Sequence, residues 1–227
     1  MILSIGNSAY SKDDGQAEFP TKRDPGNERG TAVMLVFMDI EASGLIENSY
    51  PIEIAWVFDD GSGGESHLVK PAPGWTVWSD VAEQTHNISR EILERDGKPP
   101  EVVAARMIEV LDAHQLYASS PNWDQKWLSS LLVAAGHDPY RLALQDTEVA
   151  WALAIADKLG IDMETAPRDP GEAVPRDVEN IMVFAELEER HIRTHRALDD
   201  AKEERNRWLR VQEMVEERLR KQKEYGW

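Results

Sequence analysis

The chain has 227 residues, of which 41% are hydrophobic, which is enough for one domain with a sizeable core but cramped for two. Cysteine is absent, which excludes disulfide bonds and thiolate metal ligands and favours a cytoplasmic protein. The formal net charge of −17 argues against phosphate binding by many Lys and Arg side chains, although it says little about the charge of a single cleft.

The first part of the chain shows no periodic pattern of apolar residues. Residues 1–32 mix Ser, Asp, Gly, Pro, Lys and Arg, and such a segment cannot bury enough apolar area to offset the entropy lost on ordering. We predict a disordered N-terminal arm over residues 1–32 and a single folded domain over residues 33–227. No signal peptide is predicted, and no apolar run approaches the roughly 18 residues of a membrane span.

Three strands are predicted at the start of the domain. Residues 34–40 form a continuous apolar run, which is typical of a strand that is buried on both faces. Residues 51–58 and 66–70 stand on either side of an Asp-Asp-Gly turn and are typical of a hairpin. The pattern predicts a meander of three strands.

The rest of the chain alternates helices and strands. Two helices are predicted after the N-cap residues Ser79 and Ser89. Apolar residues at helical spacing predict five more, over residues 100–111, 124–135, 148–159, 180–192 and 196–223. Strands are predicted over residues 115–119 and 142–145, and a loop over residues 161–178. This order predicts an α/β fold with a mixed sheet flanked by helices.

Two carboxylates end the first predicted strand. Asp39 and Glu41 are two residues apart, so their side chains point to the same face of the strand. Such a pair is costly unless a cation lies between its members, and Mg²⁺ prefers carboxylate and water oxygens as ligands. The pair therefore indicates a divalent metal site, with a solvated strand end as the alternative.

An acid and a histidine later in the chain are further candidates. Asp124 follows a predicted strand and lies in the first turn of a helix, where the helix dipole alone would also favour it. Five helical steps would place His195 and Asp200 about 140° apart. The two can share a site only if His195 precedes the helix that carries Asp200; otherwise His195 is a surface histidine.

Together these elements resemble the DEDDh 3′→5′ exonucleases, a family of ribonuclease H-like fold that includes polymerase proofreading subunits, ribonuclease T and oligoribonuclease. The run DIEASGL at residues 39–45 is similar to the family's first motif, and HRALDDA at residues 195–201 is similar to its third. His86 starts a segment similar to the family's His-Gly-Ile. The second motif departs from the family, because Ser120 replaces the usual Asn and Trp123 the usual Phe.

The resemblance implies a function and a set of site residues. It implies two Mg²⁺ or Mn²⁺ ions held by Asp39, Glu41, Asp124 and Asp200, with Asp199 as the competitor for the last position. It implies His195 as the general base in the hydrolysis of the 3′ end of single-stranded nucleic acid to nucleoside 5′-monophosphates; DNA and RNA both remain open. The substrate-binding residues that it implies are Ser43, Gly44, Leu45, His86 and Trp123.

Three other interpretations remain open. The chain could be a catalytically silent module of the same fold that binds nucleic acid or protein. His191 and His195, four residues apart on a predicted helix, could hold zinc, although no third ligand is obvious. The last helix carries an apolar stripe that could dock on the sheet or pair with a second subunit in a homodimer. This α7 stripe comprises Leu198, Trp208, Val211, Met214, Val215 and Leu219.

Overall fold

The computed structural model describes residues 32–167, 174–188 and 193–225. The predicted N-terminal arm, except for its last residue, lies outside the described residues. Within them the chain forms five strands and seven helices. In chain order these elements are β1 (Leu35–Ala42), β2 (Pro51–Phe58), β3 (Gly64–Leu68), α1 (Asp80–His86), α2 (Arg90–Asp96), α3 (Pro100–Leu111), β4 (Gln115–Ala118), α4 (Pro121–Ala134), β5 (Leu144–Asp146), α5 (Thr147–Leu159), α6 (Arg176–Glu188) and α7 (Ala197–Tyr225).

The strands form one sheet in the order β3-β2-β1-β4-β5. Antiparallel pairing joins β1 to β2 and β2 to β3, whereas parallel pairing joins β1 to β4 and β4 to β5. The apolar run of β1 lies in the middle because both of its faces are covered: Val36 and Met38 pack towards α3 and α4, and Phe37 packs towards α7. The predicted single α/β domain with a mixed sheet is confirmed.

Helices cover both faces of the sheet. α3 and α4 pack against each other on one face, while α7 crosses β1 and β2 on the other and is itself flanked by α5. Val211 and Val215 of α7 are fully buried in a cluster with residues of α5 and α6, and Leu198 and Trp208 pack with Phe37 of the sheet. Leu198 and Trp208 of the α7 stripe therefore dock on the sheet, whereas Val211 and Val215 pack against α5 and α6, which the sequence did not predict.

Several element boundaries differ from the predicted ones. α4 begins at Pro121 rather than at residue 124, because a proline in the first turn of a helix forfeits no hydrogen bond. β5 is shifted to Leu144–Asp146, and α6 begins at Arg176, inside the predicted loop. Residues 189–192, the end of a predicted helix, lie outside the described residues. No helix in the described part of the chain has the length and apolar character to cross a membrane.

A close backbone approach at Gly97 joins α2 to the edge of the sheet. The Lys70 N–H donates to the carbonyl oxygen of Lys98 at 2.8 Å, and the Lys98 N–H donates to that of Leu68 at 2.9 Å. A Cβ atom at Gly97 would lie 2.3 Å from the carbonyl oxygen of Leu93 and 2.7 Å from the Lys70 nitrogen. The backbone angle φ of −68° suits any residue, so it is space that requires glycine here.

Gly97→Ala is therefore expected to lower the free energy of unfolding by about 1–3 kcal/mol, as overpacking against rigid backbone does. The matched control is Gly63→Ala, because a Cβ there would meet only a Phe58 ring carbon at 3.8 Å. The control is expected to stay within about 0.5 kcal/mol of the wild type. Urea unfolding of both variants measures the difference, and equal midpoints would contradict the steric account.

Candidate active site

Asp39 and Glu41 leave β1 on the face that α7 covers. They share the alternation of Phe37, which packs against α7, and they stand opposite Ala55 and Glu53 of β2. Asp39 is only 8% exposed, and Glu41 is half-buried. The predicted placement of both carboxylates on one face is therefore present, and that face is shielded from solvent.

Asp124 follows β4 and lies near the carboxyl end of β1. This strand runs parallel to β1, so their carboxyl ends lie side by side. α4 begins three residues after β4 ends, and the Asp124 N–H donates to the carbonyl oxygen of Ser120 at 3.1 Å. Asp124 is 3% exposed, which puts a second buried acid next to Asp39.

Asp200 organises the segment that carries His195. Its Oδ1 accepts hydrogen bonds from the Thr194 N–H at 2.8 Å and the Thr194 hydroxyl at 3.0 Å, and its Oδ2 accepts one from the His195 N–H at 2.9 Å. His195 lies two residues before α7, in a left-handed conformation with φ of 57°. This turn gives the arrangement that the helical geometry required, with His195 before the helix and Asp200 in its first turn.

The turn brings three groups together. Glu41, His195 and Asp200 each offer a ligand atom, and these atoms lie within 4.8 Å of one another. Asp200 is 3% exposed. The neighbouring Asp199 points to solvent and pairs with Lys202 at 3.5 Å. Of the two adjacent aspartates, it is therefore Asp200 that the structure turns towards Glu41.

The carboxylates are electrostatically unfavourable to one another. Burial raises the pKa of Asp39 well above its usual value, and the charges of Asp124, Glu41 and Asp200 raise it further. Burial and the Asp200 charge raise the pKa of Glu41 to about 7. Burial also raises the pKa of Asp124 to about 7, although Arg193 opposes the shift. A group of oxygen donors that resists ionisation in this way fits a divalent cation, which would supply the missing positive charge.

The predicted substrate-binding residues fall into two environments. Ser43 is fully buried; its N–H donates to the carbonyl oxygen of Tyr50 at 2.9 Å, and its Oγ accepts the Tyr50 N–H at 3.1 Å. Ser43 therefore closes the loop between β1 and β2. Gly44 lies in this loop against the Ser79 side chain, which a Cβ would approach to 3.0 Å. Leu45 is 71% exposed at the loop's surface.

His86 is buried, whereas Trp123 is exposed. His86 is 2% exposed; its Nδ1 accepts the Ile88 N–H at 3.0 Å, and its ring lies edge-on to Trp78 at 6.3 Å between centroids. Trp123 is 37% exposed and stacks on Trp127 at 5.5 Å. Leu45 and Trp123 are thus at the surface, whereas Ser43 and His86 are in the interior.

Lys126 links Trp123 to Ile46, the residue after Leu45. Its ammonium nitrogen lies 4.8 Å from the centroid of the Trp123 ring and donates to the carbonyl oxygen of Ile46 at 3.2 Å. Ile46 is 46% exposed, like its neighbour Leu45. We call Leu45, Ile46 and Trp123 the apolar rim. Both parts of the rim are close to a carboxylate in sequence. Leu45 and Ile46 follow Glu41, and Trp123 directly precedes Asp124.

Several residues around the site were not singled out in the sequence. Arg193 donates to the Ser119 hydroxyl at 3.0 Å and lowers the pKa of three of the four carboxylates. Glu204 is 1% exposed, one turn beyond Asp200 on α7, and it pairs with Arg207 at 3.1 Å. Glu204 could have been predicted from the sequence, because a residue four positions after Asp200 lies on the same face of the helix. Glu53, opposite Glu41, could be found only from the strand register.

Of His191 and His195, the alternative zinc ligands, the structure describes only His195. His191 lies outside the described residues. In the described part of the chain, the ligand group that includes His195 is completed by the carboxylates of Glu41 and Asp200. This oxygen-rich set suits a hard cation such as Mg²⁺ or Mn²⁺.

Comparison with solved structures defines the fold. The chain superimposes on zinc-bound exonuclease I of E. coli in complex with single-stranded DNA with a TM-score of 0.54 and 15% identity, over 85% of this chain and 42% of that one. Exonuclease I from Methylocaldum szegediense gives a TM-score of 0.53 and 18% identity, over 79% of this chain and 40% of that one. A further exonuclease I structure, from a study of processivity, gives a TM-score of 0.55 and 13% identity, over 84% of this chain and 44% of that one.

These likenesses concern the fold. The chain spans less than half the length of each exonuclease I that it resembles. No model of a known protein family matches the sequence, and no curated protein matches it either. The α/β domain therefore has an exonuclease I-like fold.

Metal binding is expected to stabilise the protein in a pH-dependent way. The folded-state pKa values of Glu41 and Asp124 are raised to about 7, so their contribution to stability is complete below the unfolded pKa values and is lost as the pH rises to about 7. A cation reverses this loss but must compete with protons. Saturating Mn²⁺ is expected to raise the Tm by roughly 5–10 °C at about pH 8, and by much less at about pH 5.

Differential scanning fluorimetry with and without Mn²⁺ measures these shifts. Asp124→Asn removes one buried charge and is expected to raise the Tm of the metal-free protein at about pH 8 while abolishing the gain from Mn²⁺. The exposed Asp199→Asn serves as the control and should keep the full gain. A metal-induced shift that is the same at both pH values would contradict the linkage.

Proposed function

We propose that this protein is a metal-dependent 3′→5′ exonuclease that acts on single-stranded nucleic acid and releases nucleoside 5′-monophosphates. The observation that carries the proposal is that ligand atoms of Glu41, His195 and Asp200 lie within 4.8 Å of one another, with the buried Asp39 and Asp124 close enough to interact electrostatically with Glu41. The exonuclease I-like fold supports it.

The four carboxylates would hold two divalent cations, Mg²⁺ or Mn²⁺. Bound there, the cations supply charge neutralisation at the scissile phosphate and favour ionisation of a bound water. The protein's own part is to present oxygen ligands from rigid elements. Asp39 and Glu41 come from the central strand, whereas Asp124 and Asp200 come from the first turns of α4 and α7.

His195 is the proposed general base. An imidazole can take up and release a proton in neutral solution, and a ring nitrogen of His195 lies within 4.8 Å of ligand atoms of Glu41 and Asp200. The side chain is only half-buried, which allows it to pass the proton on to solvent. It would take a proton from the attacking water, and the carboxylates would hold the cations beside it.

The apolar rim is the proposed contact for the last bases of the strand. Unpaired bases stack on aromatic and apolar side chains without reading sequence. An exposed indole and two exposed aliphatic side chains, which are close in sequence to Asp124 and Glu41, offer such a surface, and Lys126 places one positive charge over the indole. An overall negative chain with an apolar rim favours short or single-stranded substrates over long duplexes, which depend on many phosphate contacts.

The activity is tested with single-stranded DNA and RNA oligonucleotides labelled at the 5′ end, in Mn²⁺ or in EDTA. Stepwise shortening is expected only with metal, and the preferred sugar identifies the substrate class. Asp200→Asn is expected to reduce the rate at least about 100-fold, whereas its exposed neighbour Asp199→Asn should stay within about twofold of the wild type. Binding of metal and oligonucleotide without shortening would instead favour the catalytically silent module.

The role of the apolar rim is tested by Trp123→Ala. Loss of one stacking contact, worth about 1–3 kcal/mol, is expected to raise KM by roughly 5- to 100-fold on single-stranded oligonucleotides. Val133→Ala on the same helix is the control, since its side chain is 59% exposed and lies away from the rim in sequence. Steady-state kinetics separates KM from kcat, and an unchanged KM in Trp123→Ala would remove the rim from substrate binding.

A further inference from the structure

One buried carboxylate next to the site is not among the four proposed metal ligands. Glu53 is 2% exposed in the middle of β2, directly opposite Glu41 in the antiparallel register. Its neighbours Ile52 and Ile54 are fully buried. A charge at such a position is costly unless it is paired and hydrogen-bonded, so the partners of Glu53 indicate what it does.

Those partners come from the segment that carries His195. The Arg196 guanidinium donates to both oxygens of Glu53, from Nη2 to Oε1 at 2.9 Å and from Nε to Oε2 at 3.1 Å. The backbone N–H of Ala197, the first residue of α7, donates to Oε2 at 3.2 Å. A hydroxyl from β3 completes the set, with Ser66 Oγ donating to Oε1 at 2.9 Å. A bidentate pair of this kind fixes geometry as well as charge.

His195 is thus held on both sides along the chain. Before it, Thr194 and the His195 N–H itself are bound by Asp200; after it, Arg196 and Ala197 are bound by Glu53. The backbone at His195 has a φ of 57°, which is unfavourable for a residue other than glycine and persists only where surrounding contacts impose it. Arg196 itself is half-exposed, so the rigid member of the clamp is Glu53 in the sheet.

From this arrangement we infer that Glu53 is a positioning residue, which holds His195 at the carboxylate group by clamping Arg196 and the first N–H of α7. The inference rests on the proposed function for the role of His195. In this role Glu53 acts through the backbone next to the base, since its hydrogen-bond partners are Arg196, Ala197 and Ser66. A base displaced by about 1 Å costs on the order of 100-fold in rate, which sets the scale of the expected effect.

The test is a double-mutant cycle between Glu53→Gln and His195→Ala, with kcat and KM measured on the oligonucleotide that the wild type cleaves best. Glu53→Gln alone is expected to lower kcat about 10- to 100-fold and to leave KM within about twofold. In the His195→Ala background the same substitution is expected to change kcat by less than about twofold, since the group it positions is gone. An equal loss in both backgrounds would overturn the inference and assign Glu53 a general structural role.

Two further variants guard against a folding defect. Arg196→Lys keeps the charge but not the planar fork, and it alters a half-exposed side chain, so it is expected to fold and still to lose kcat. Ser66→Ala removes one hydrogen bond from the same carboxylate without touching Arg196 and is expected to keep kcat within about twofold. An unimpaired Arg196→Lys together with an impaired Ser66→Ala would contradict the clamp.

Hydrogen exchange gives a readout that is independent of catalysis. Peptides covering residues 193–199 are expected to exchange faster in Glu53→Gln and Arg196→Lys than in the wild type or Ser66→Ala, while peptides of α4 stay unchanged. If the wild type cleaves no oligonucleotide with any metal, it is the proposed function that fails, and exchange still decides whether Glu53 holds this segment. Unchanged exchange in Glu53→Gln would overturn the inference whether or not the protein is active.

Discussion

The candidate site depends on one unfavourable feature, the burial of several carboxylates close together at the end of β1. Asp39, Asp124 and Asp200 are each less than a tenth exposed, and Glu41 lies beside them. Burial and like charge raise the pKa values of Asp39, Glu41 and Asp124. The fold gains no stability from such a group by itself, and on the proposed function bound cations would offset its cost.

The mixed sheet explains how residues far apart in sequence reach this point. β4 pairs in parallel with β1, which brings the start of α4, and with it Asp124, to the edge where Asp39 and Glu41 emerge. α7 crosses β1 and β2, and its first turn carries Asp200. The long apolar contact of α7 with the sheet, α5 and α6 anchors the helix, so packing at Val211 and Val215 supports the position of Asp200 several turns away.

Periodicity was sufficient for most of the fold, because the strands and helices here have strong apolar patterns. The continuous run of β1 predicted a central strand, and the two-residue spacing of Asp39 and Glu41 predicted a shared face. What periodicity could not supply was pairing. Only the β1–β2 register puts Glu53 opposite Glu41. Only the structure shows that Thr194, the residue before His195, is hydrogen-bonded to Asp200 through both its N–H and its hydroxyl. Ser43 and His86 were predicted from a motif, which carries no information on burial; both lie in the interior.

The net charge of −17 and a nucleic-acid substrate are compatible once the distribution of charge is considered. Burial and like charge raise the pKa values of Asp39, Glu41 and Asp124, and on the proposed function cations bound among them would cancel the negative charge that a phosphate meets first. On the proposed function, Leu45, Ile46 and Trp123 would add apolar contacts to the end of a strand, and ionic screening does not weaken such contacts as it weakens contacts between charges. On the proposed function, a chain of this kind recognises the end of a strand by stacking and by its metal centre, and the acidic surface elsewhere weakens binding to the rest of a long polyanion.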